Sequence, residues 1–198
     1  MSVIDHVLAV NVPPPQAAKA LEAAILATQP VGAFEKQAEQ QIGEMMFTIR
    51  WLRGGVPPVA LDLTFDSSVP MLMVSVICDD DAIGTRVSER LLNEMNALID
   101  SPAQLRDAAA ASPDDPTLLV RAAVAYAYRF DGRLFTLIDD ALRSSQSSLR
   151  QAGAKAAALV KYGQLLTTLR HAVEMETDES TARMLALAMS KCQGAPGA

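Results

Sequence analysis

The apolar positions of the first hundred residues switch from a helical period to a two-residue period and back. Apolar and polar side chains alternate in MFTIRWLR (46–53) and in VALDLTF (59–65), while MLMVSVIC (71–78) is almost continuously apolar. Alternation is typical of a half-buried strand, and a short continuous apolar run is typical of a fully buried one. Gly54-Gly55 separates the first two runs as a turn. We therefore predict a three-stranded antiparallel meander.

Helical patterns flank this meander. In QAAKALEAAILATQ (16–29) the residues Ala17, Leu21 and Ile25 lie on one helical face, and AFEKQAEQQIGEMM (33–46) allows a second, weaker helical pattern. The helix after the strands begins at Asp79-Asp80-Asp81, where carboxylates cap free amides and suit the positive end of the helix dipole. These helices are expected to cover one face of the sheet.

From about residue 101 the sequence predicts helices that repeat. The segments 118–130, 149–162 and 182–191 each place an arginine after an apolar residue and before small side chains, and these arginines, Arg121, Arg150 and Arg183, are 29 and 33 positions apart. Leucine-containing helices at 132–142 and 163–173 lie between them, and a shorter relative occupies 102–110. A period of about 30 residues with two helices per unit indicates an α-solenoid, in which stacked hairpins bury one another's apolar faces.

Residues 102–192 resemble the HEAT-like repeats, in particular the short type known from phycobilisome lyases. The likeness rests on three features. Acidic turns occur at Asp114-Asp115 and Thr177-Asp178-Glu179, and apolar-Arg pairs open the first helices at Val120-Arg121, Leu149-Arg150 and Ala182-Arg183. The second helices end in Ala-Leu or a close variant, at Ala141-Leu142 and Ala172-Val173. The resemblance implies a protein-binding scaffold and, less often, an enzyme that holds a bilin chromophore. The order of elements in the first half is similar to that of type III secretion chaperones.

The composition of the chain argues against several classes of function. The 17 basic and 23 acidic residues give a net charge of −6, which repels a phosphate backbone, so we expect no nucleic-acid partner. No apolar run reaches the roughly 20 residues of a membrane span, so we expect no membrane partner. The first residues lack the basic region of a secretory signal, and we expect a cytoplasmic protein. The acidic surplus lies in residues 1–100, which hold 13 acidic and 6 basic residues.

No segment carries a recognisable catalytic motif, and we predict no enzyme activity, cofactor or metal. His171 and Glu174 have the three-residue spacing of a shared metal site, but a di-metal helical bundle needs a second such pair. Each repeated arginine is expected to bind carboxylates or carbonyl groups of the adjoining turn.

Two surfaces are candidates for binding another protein. The second helices of a solenoid line its concave surface, and a mixed-charge groove is predicted there. Its residues are Arg133, Asp139, Asp140, Arg170 and His171. The other candidate is the hairpin at Arg50, Trp51 and Arg53, because tryptophan beside arginine is common in binding hot spots. The alternative for Trp51 is an ordinary core position with arginine neighbours that reach to solvent.

The sequence therefore predicts an α+β protein with an α-β-β-β-α module at 1–100 and HEAT-like helical repeats at 101–198. The expected function is non-catalytic binding of another protein, as an adaptor, chaperone or assembly factor. A bilin-lyase-like enzyme and a type III secretion-type chaperone are the alternatives, and a homodimer remains open.

Overall fold

The structure is a computed structural model, and it describes residues 4–10, 12–27, 34–37, 39–42, 46–66, 71–127 and 129–194. It divides into two units, Met1–Pro102 and Ala103–Ala198.

The first unit is an antiparallel sheet with two helices. Its elements are β1 (Ile4–Val10), α1 (Pro14–Ala27), β2 (Phe34–Lys36), β3 (Gln40–Ile42), β4 (Met46–Arg53), β5 (Val59–Asp66), β6 (Met71–Cys78), α2 (Asp81–Glu94) and β7 (Ile99–Asp100). The strands follow the order β2-β4-β5-β6-β1-β7, and β3 pairs with the other half of β4. The predicted meander is confirmed as β4-β5-β6, so β5 and β6 are interior strands.

Two expectations for this unit are wrong. The helical pattern assigned to 33–46 is not realised, because Phe34–Lys36 and Gln40–Ile42 are short strands that pair with β4. The predicted α-β-β-β-α order also missed a strand, because β1 precedes α1 and pairs with β6 from far along the sequence. In both cases long-range backbone pairing decides the structure over a weak local pattern.

The core of the first unit lies on one face of the sheet. Alternate residues of β4, β5 and β6 point to this face, and Leu21 of α1 and Leu91 of α2 pack against them. The helix α2 begins as predicted, because Asp80 caps it and its carboxylate accepts a hydrogen bond from the backbone N–H of Ile83 at 3.0 Å. The helices therefore cover the apolar face that the alternation defined.

The second unit is helical. Its elements are α3 (Pro102–Ala111), α4 (Pro116–Ala125), α5 (Gly132–Leu142), α6 (Ser147–Val160), a single 3₁₀ turn (Gly163–Leu165), α7 (Leu166–Met175) and α8 (Glu179–Gln193). Each predicted helical segment overlaps one of these helices, although α4 ends at Ala125 and the predicted segment extends to 130. Asp115, Asp131 and Asp178 cap α4, α5 and α8 with their carboxylates. The helix α6 packs against α4, α5 and α8, and α7 packs against α5 and α8.

The close approach of α6 to the end of α5 depends on Gly153. A Cβ atom at this position would lie 3.0 Å from the backbone nitrogen of Leu142 and 3.3 Å from the carbonyl carbon of Ala141. Both atoms belong to the α5 backbone and cannot move aside as a flexible side chain would. Glycine therefore permits the observed helix spacing.

We expect Gly153→Ala to lower the free energy of unfolding by about 1 kcal/mol. Overpacking costs about 1–3 kcal/mol, and the middle of this range, about 2 kcal/mol, exceeds by about 1 kcal/mol the gain that alanine brings to a helix interior. Gly132→Ala is the control, because a Cβ at Gly132 meets no atom within 4 Å. Urea unfolding of both variants, followed by circular dichroism, checks this expectation. A Gly153→Ala variant more stable than the parent protein would contradict it.

Candidate functional site

A groove of about 430 Å³ runs along the second unit between two turns, the one that joins α5 to α6 and the one that joins α7 to α8. We call it the turn groove. Its described lining combines apolar, cationic and anionic side chains: Leu142, Arg143, Ser144, Arg150, Thr168, His171, Ala172, Met175, Glu176 and Thr177.

An ion pair between Arg150 and Glu176 connects the two turns. Arg150 donates from Nε and Nη2 to the two carboxylate oxygens of Glu176, at 2.7 and 3.1 Å. Its Nη1 donates to the carbonyl oxygens of Ser144 and Ser145 at 3.0 and 2.8 Å. A bidentate pair of this kind fixes the relative position of both groups. The expectation that Arg150 binds groups of the adjoining turns is therefore confirmed.

The carboxylate of Glu176 is a buried anion, because its side chain is only 2% exposed. The hydrogen bonds from Arg150 and from the backbone N–H groups of Asp178 and Thr177 lower its pKa to about 2. Asp178 continues this network at the start of α8. Hydrogen bonds from the hydroxyls of Ser180 and Thr181 and from the Thr181 N–H lower the pKa of Asp178 to about 2 as well. Both side chains therefore stay ionised at neutral pH.

A second network joins α5 to α7 at the side of the groove. Arg143 donates from Nε to Asp139 at 2.9 Å and from Nη2 to the Thr168 hydroxyl at 3.0 Å. The Thr168 hydroxyl in turn donates to Asp139. Partial burial would raise the pKa of Asp139, but the hydrogen bonds from Arg143 and Thr168 outweigh burial, and the pKa is lowered. Asp139 is therefore held as a carboxylate.

The predicted concave residues do not form one cluster. His171 is exposed and lines the turn groove, and Asp139 supports its side. Arg133 lies at the first turn of α5, where its side chain is 79% exposed and Nη1 is 3.9 Å from Asp107. Asp140 and Arg170 are exposed, and neither is in the described lining of the groove. Of the five predicted residues, His171 and Asp139 therefore lie at the turn groove, and their role in binding stays a prediction.

The hairpin residues are not a joint contact surface. Trp51 is 2% exposed and packs in the core of the first unit, so its assignment to a binding surface is corrected. The reason is the strand register, which aligns Trp51 with the buried Leu61. Arg53 is buried on the same face. Arg50 points to the opposite face, where it is exposed and makes a bidentate pair with Asp62 at 2.7 and 2.6 Å.

Sequence reasoning missed Arg143 and Met175, which both line the groove. Arg143 ends α5 and carried no repeat signal of its own. The side chain of Met175 is exposed, at 69%, on the last turn of α7. Met175 could have been predicted from the sequence, because it is an apolar residue that lies outside the apolar stripe of its helix. The repeated Arg183 differs from Arg150, since its partner is Glu179 of its own helix.

Three aromatic residues of the second unit, Phe130, Phe135 and Tyr162, form a separate cluster at the start of α5. Phe130 packs against Tyr162 and Phe135, with ring centroids 4.9 and 6.3 Å apart. The Tyr162 hydroxyl donates to the Arg129 carbonyl at 2.8 Å and accepts from the Asp131 N–H at 3.1 Å. Burial raises the pKa of Tyr162 to about 12. The cluster is a packing element whose one polar group is satisfied by the backbone.

Comparison with protein-family models, with curated proteins and with solved structures found no significant match to this chain. The chain has a mixed α and β fold, in which an antiparallel sheet with two helices is followed by a helical unit. None of the helices in the described ranges combines the length and the apolar composition that crossing a bilayer requires.

We expect the stabilisation by Glu176 to depend on pH in a defined direction. The pKa of Glu176 is lowered in the folded state to about 2, below its ordinary value of 4.5. Its ionised form therefore stabilises the fold above about pH 5, and this contribution is lost as the pH falls from 4.5 to 2. The difference in free energy of unfolding between the parent protein and Glu176→Gln should be largest at pH 7 and shrink towards pH 3, measured by urea unfolding.

The control for this experiment is the Arg150→Met background. Without the guanidinium, Glu176→Gln should show a smaller difference at pH 7 and a weaker pH dependence, as expected for two groups in one network. An unfolding difference that stays constant from pH 7 to pH 3 would rule out the ion pair as its source.

Proposed function

We propose that this chain is a non-catalytic cytoplasmic protein-interaction factor, an adaptor, chaperone or assembly factor, whose partner binds in the turn groove. One observation carries the proposal. The ionisable groups at the base of the groove are paired with one another, while Met175 and His171 remain exposed at its surface. A groove of this kind offers a rigid base and accessible contact groups.

The neighbour relations of the helices support a short HEAT-like array. Helices α4, α6 and α8 contact one another in succession, and α5 contacts α7. This is the pattern expected when hairpins stack with first helices in one layer and second helices in another. Side-chain hydrogen bonds link positions about one repeat apart, such as Gln151 with Thr181, 30 residues away, at 2.9 Å. Such arrays serve mainly as scaffolds for binding.

The protonation states of the groove favour binding over acid–base catalysis. A general base works best with a pKa near the operating pH. The pKa of Glu176 lies at about 2, and the pKa of Asp139 is lowered. Their hydrogen-bonding capacity is already engaged by Arg150, Arg143 and Thr168. These carboxylates hold the groove in shape and are poorly suited to accept a proton from a substrate.

The exposed surface of the groove suits an extended protein segment with an apolar anchor. Methionine is flexible and polarisable, and it adapts to side chains of different shapes. His171 and Thr177, which are exposed in the lining, offer hydrogen bonds beside it. The bilin-lyase alternative receives less support, because the described lining contains no phenylalanine, tyrosine or tryptophan that could stack on a chromophore.

We expect Met175→Asp to weaken partner binding by about tenfold or more, because a charge would replace the apolar contact at the groove. The tagged protein would be used to recover its partner from cell extract, and the bound amount would be measured by quantitative mass spectrometry. His171→Glu should weaken the same partner.

Two exposed positions outside the groove provide matched controls. Leu187 on α8 is 57% exposed, so Leu187→Asp makes the same chemical change as Met175→Asp at another surface. Arg133→Glu controls for His171→Glu. Both controls should retain the partner. Retention by Met175→Asp, or equal loss on Leu187→Asp, would remove the turn groove as the binding site.

A further inference from the structure

The first unit contains a pocket of about 430 Å³ between α2 and the core face of the sheet. We call it the arginine pocket. Its size lies in the range of small-molecule sites, roughly 300–1,000 Å³. The described lining is Arg53, Leu61, Ile83, Arg86, Val87, Arg90 and Leu91.

The apolar part of the pocket continues the hydrophobic core. Leu61 of β5 and Leu91 of α2 are buried members of that core, and Ile83 and Val87 of α2 pack against it. A ligand that enters the pocket would therefore place an apolar body against side chains of the core. Burial of such a body is favourable in proportion to the area removed from water.

The charged part of the pocket is purely cationic among the described lining residues. Residues 1–100 contain only six basic side chains, against 13 acidic ones, and three of the six line this pocket. Arg86 and Arg90 are four residues apart, so they lie on the same side of α2, where two like charges repel each other. An anion bound between them would relieve this repulsion.

The described contacts of Arg86 and Arg90 are with backbone carbonyl groups. The Nε of Arg86 donates to Ala82 at 3.2 Å, and Nη2 of Arg90 donates to Ala27 at 3.2 Å. A guanidinium has five N–H donors in a planar fork that matches a carboxylate. These single contacts orient both side chains and leave donors for a ligand.

We propose that the arginine pocket binds a small amphipathic molecule with an apolar body and a terminal carboxylate. The apolar walls receive the body, and Arg86 and Arg90 bind the carboxylate. The arginine fork matches phosphate as well as carboxylate, so an alkyl phosphate is the competing ligand. Phosphate sites often add backbone N–H donors of a helix N-terminus, whereas Arg86 and Arg90 lie in the interior of α2, which spans Asp81–Glu94 and where backbone N–H groups bond within the helix. We therefore assign the carboxylate. This site lies in the first unit and is independent of the proposed partner site.

Decanoate is a suitable probe, and Trp51 is a built-in reporter. Trp51 is the single tryptophan of the chain and is aligned across the strands with Leu61, which lines the pocket. Titration of the full chain with decanoate, below its micelle concentration, should give a saturable change in tryptophan fluorescence. Calorimetry should give one ligand per chain. Added salt should weaken binding, since a charge pair is involved.

Variants and analogues separate the charged contact from simple apolar binding. Arg86→Met and Arg90→Met keep the apolar stem, and each should weaken decanoate binding about tenfold or more. Decanol, which has the same tail without the charge, should bind about tenfold more weakly than decanoate. Arg133→Met, at an exposed arginine of the second unit, is the control and should bind like the parent protein. Thermal unfolding of each variant confirms that it is folded.

Three results would overturn the proposal. One is decanol binding as tightly as decanoate, which would mean that the arginines contribute nothing. A second is unchanged affinity in both Arg86→Met and Arg90→Met. The third is tighter binding of decyl phosphate than of decanoate, which would assign the pocket to a phosphate headgroup. None of these results bears on the turn groove, so the two proposals stand or fall separately.

Discussion

The helix α6 packs against α4, α5 and α8 at once, and the arrangement of the second unit depends on this triple contact. Three neighbours can surround one helix closely only if its buried side chains are small, and those of α6 are mainly glycine and alanine. Gly153 allows contact with the backbone of α5, and on another side the Cys192 thiol of α8 lies 3.5 Å from the Ala157 carbonyl oxygen. Close packing therefore accounts for the alanine-rich composition of α6 more directly than the high helix propensity of alanine does.

This close packing has a direct consequence for the turn groove. Because α5 and α8 both pack against α6, the turn before α6 and the turn after α7 lie close together. Arg150 can therefore reach Glu176, 26 residues away. The ion pair then fixes the turns, and the backbone N–H groups of residues 177 and 178 complete the shell around the carboxylate. The charges at the base of the groove are therefore part of the scaffold, and the exposed lining residues Met175, His171 and Thr177 are the groups that the proposed partner would contact.

Sequence patterns predicted the helices of the second unit well and the edges of the sheet poorly, for a physical reason. The helical periods and the capping aspartates are local signals, and local hydrogen bonds complete a helix. The strand β1 has its partner in β6, and the three-residue strands at 34–36 and 40–42 exist only because β4 supplies their hydrogen bonds. The groove was predicted only in part, since Glu176 acquires its partner Arg150, and Arg143 its contact with Thr168, through tertiary packing.

The arginine pocket shows why a net charge predicts long-range attraction and not the chemistry of a site. The acidic surplus of residues 1–100 creates a negative field that favours basic partners at a distance. Charges separated by more than about 8 Å are largely screened at physiological ionic strength, so a ligand inside a pocket responds mainly to its immediate lining. There Arg86 and Arg90 face an apolar surface. An anion that the unit as a whole would repel can therefore be favoured at this one place, provided that its apolar part is buried beside Leu61 and Leu91.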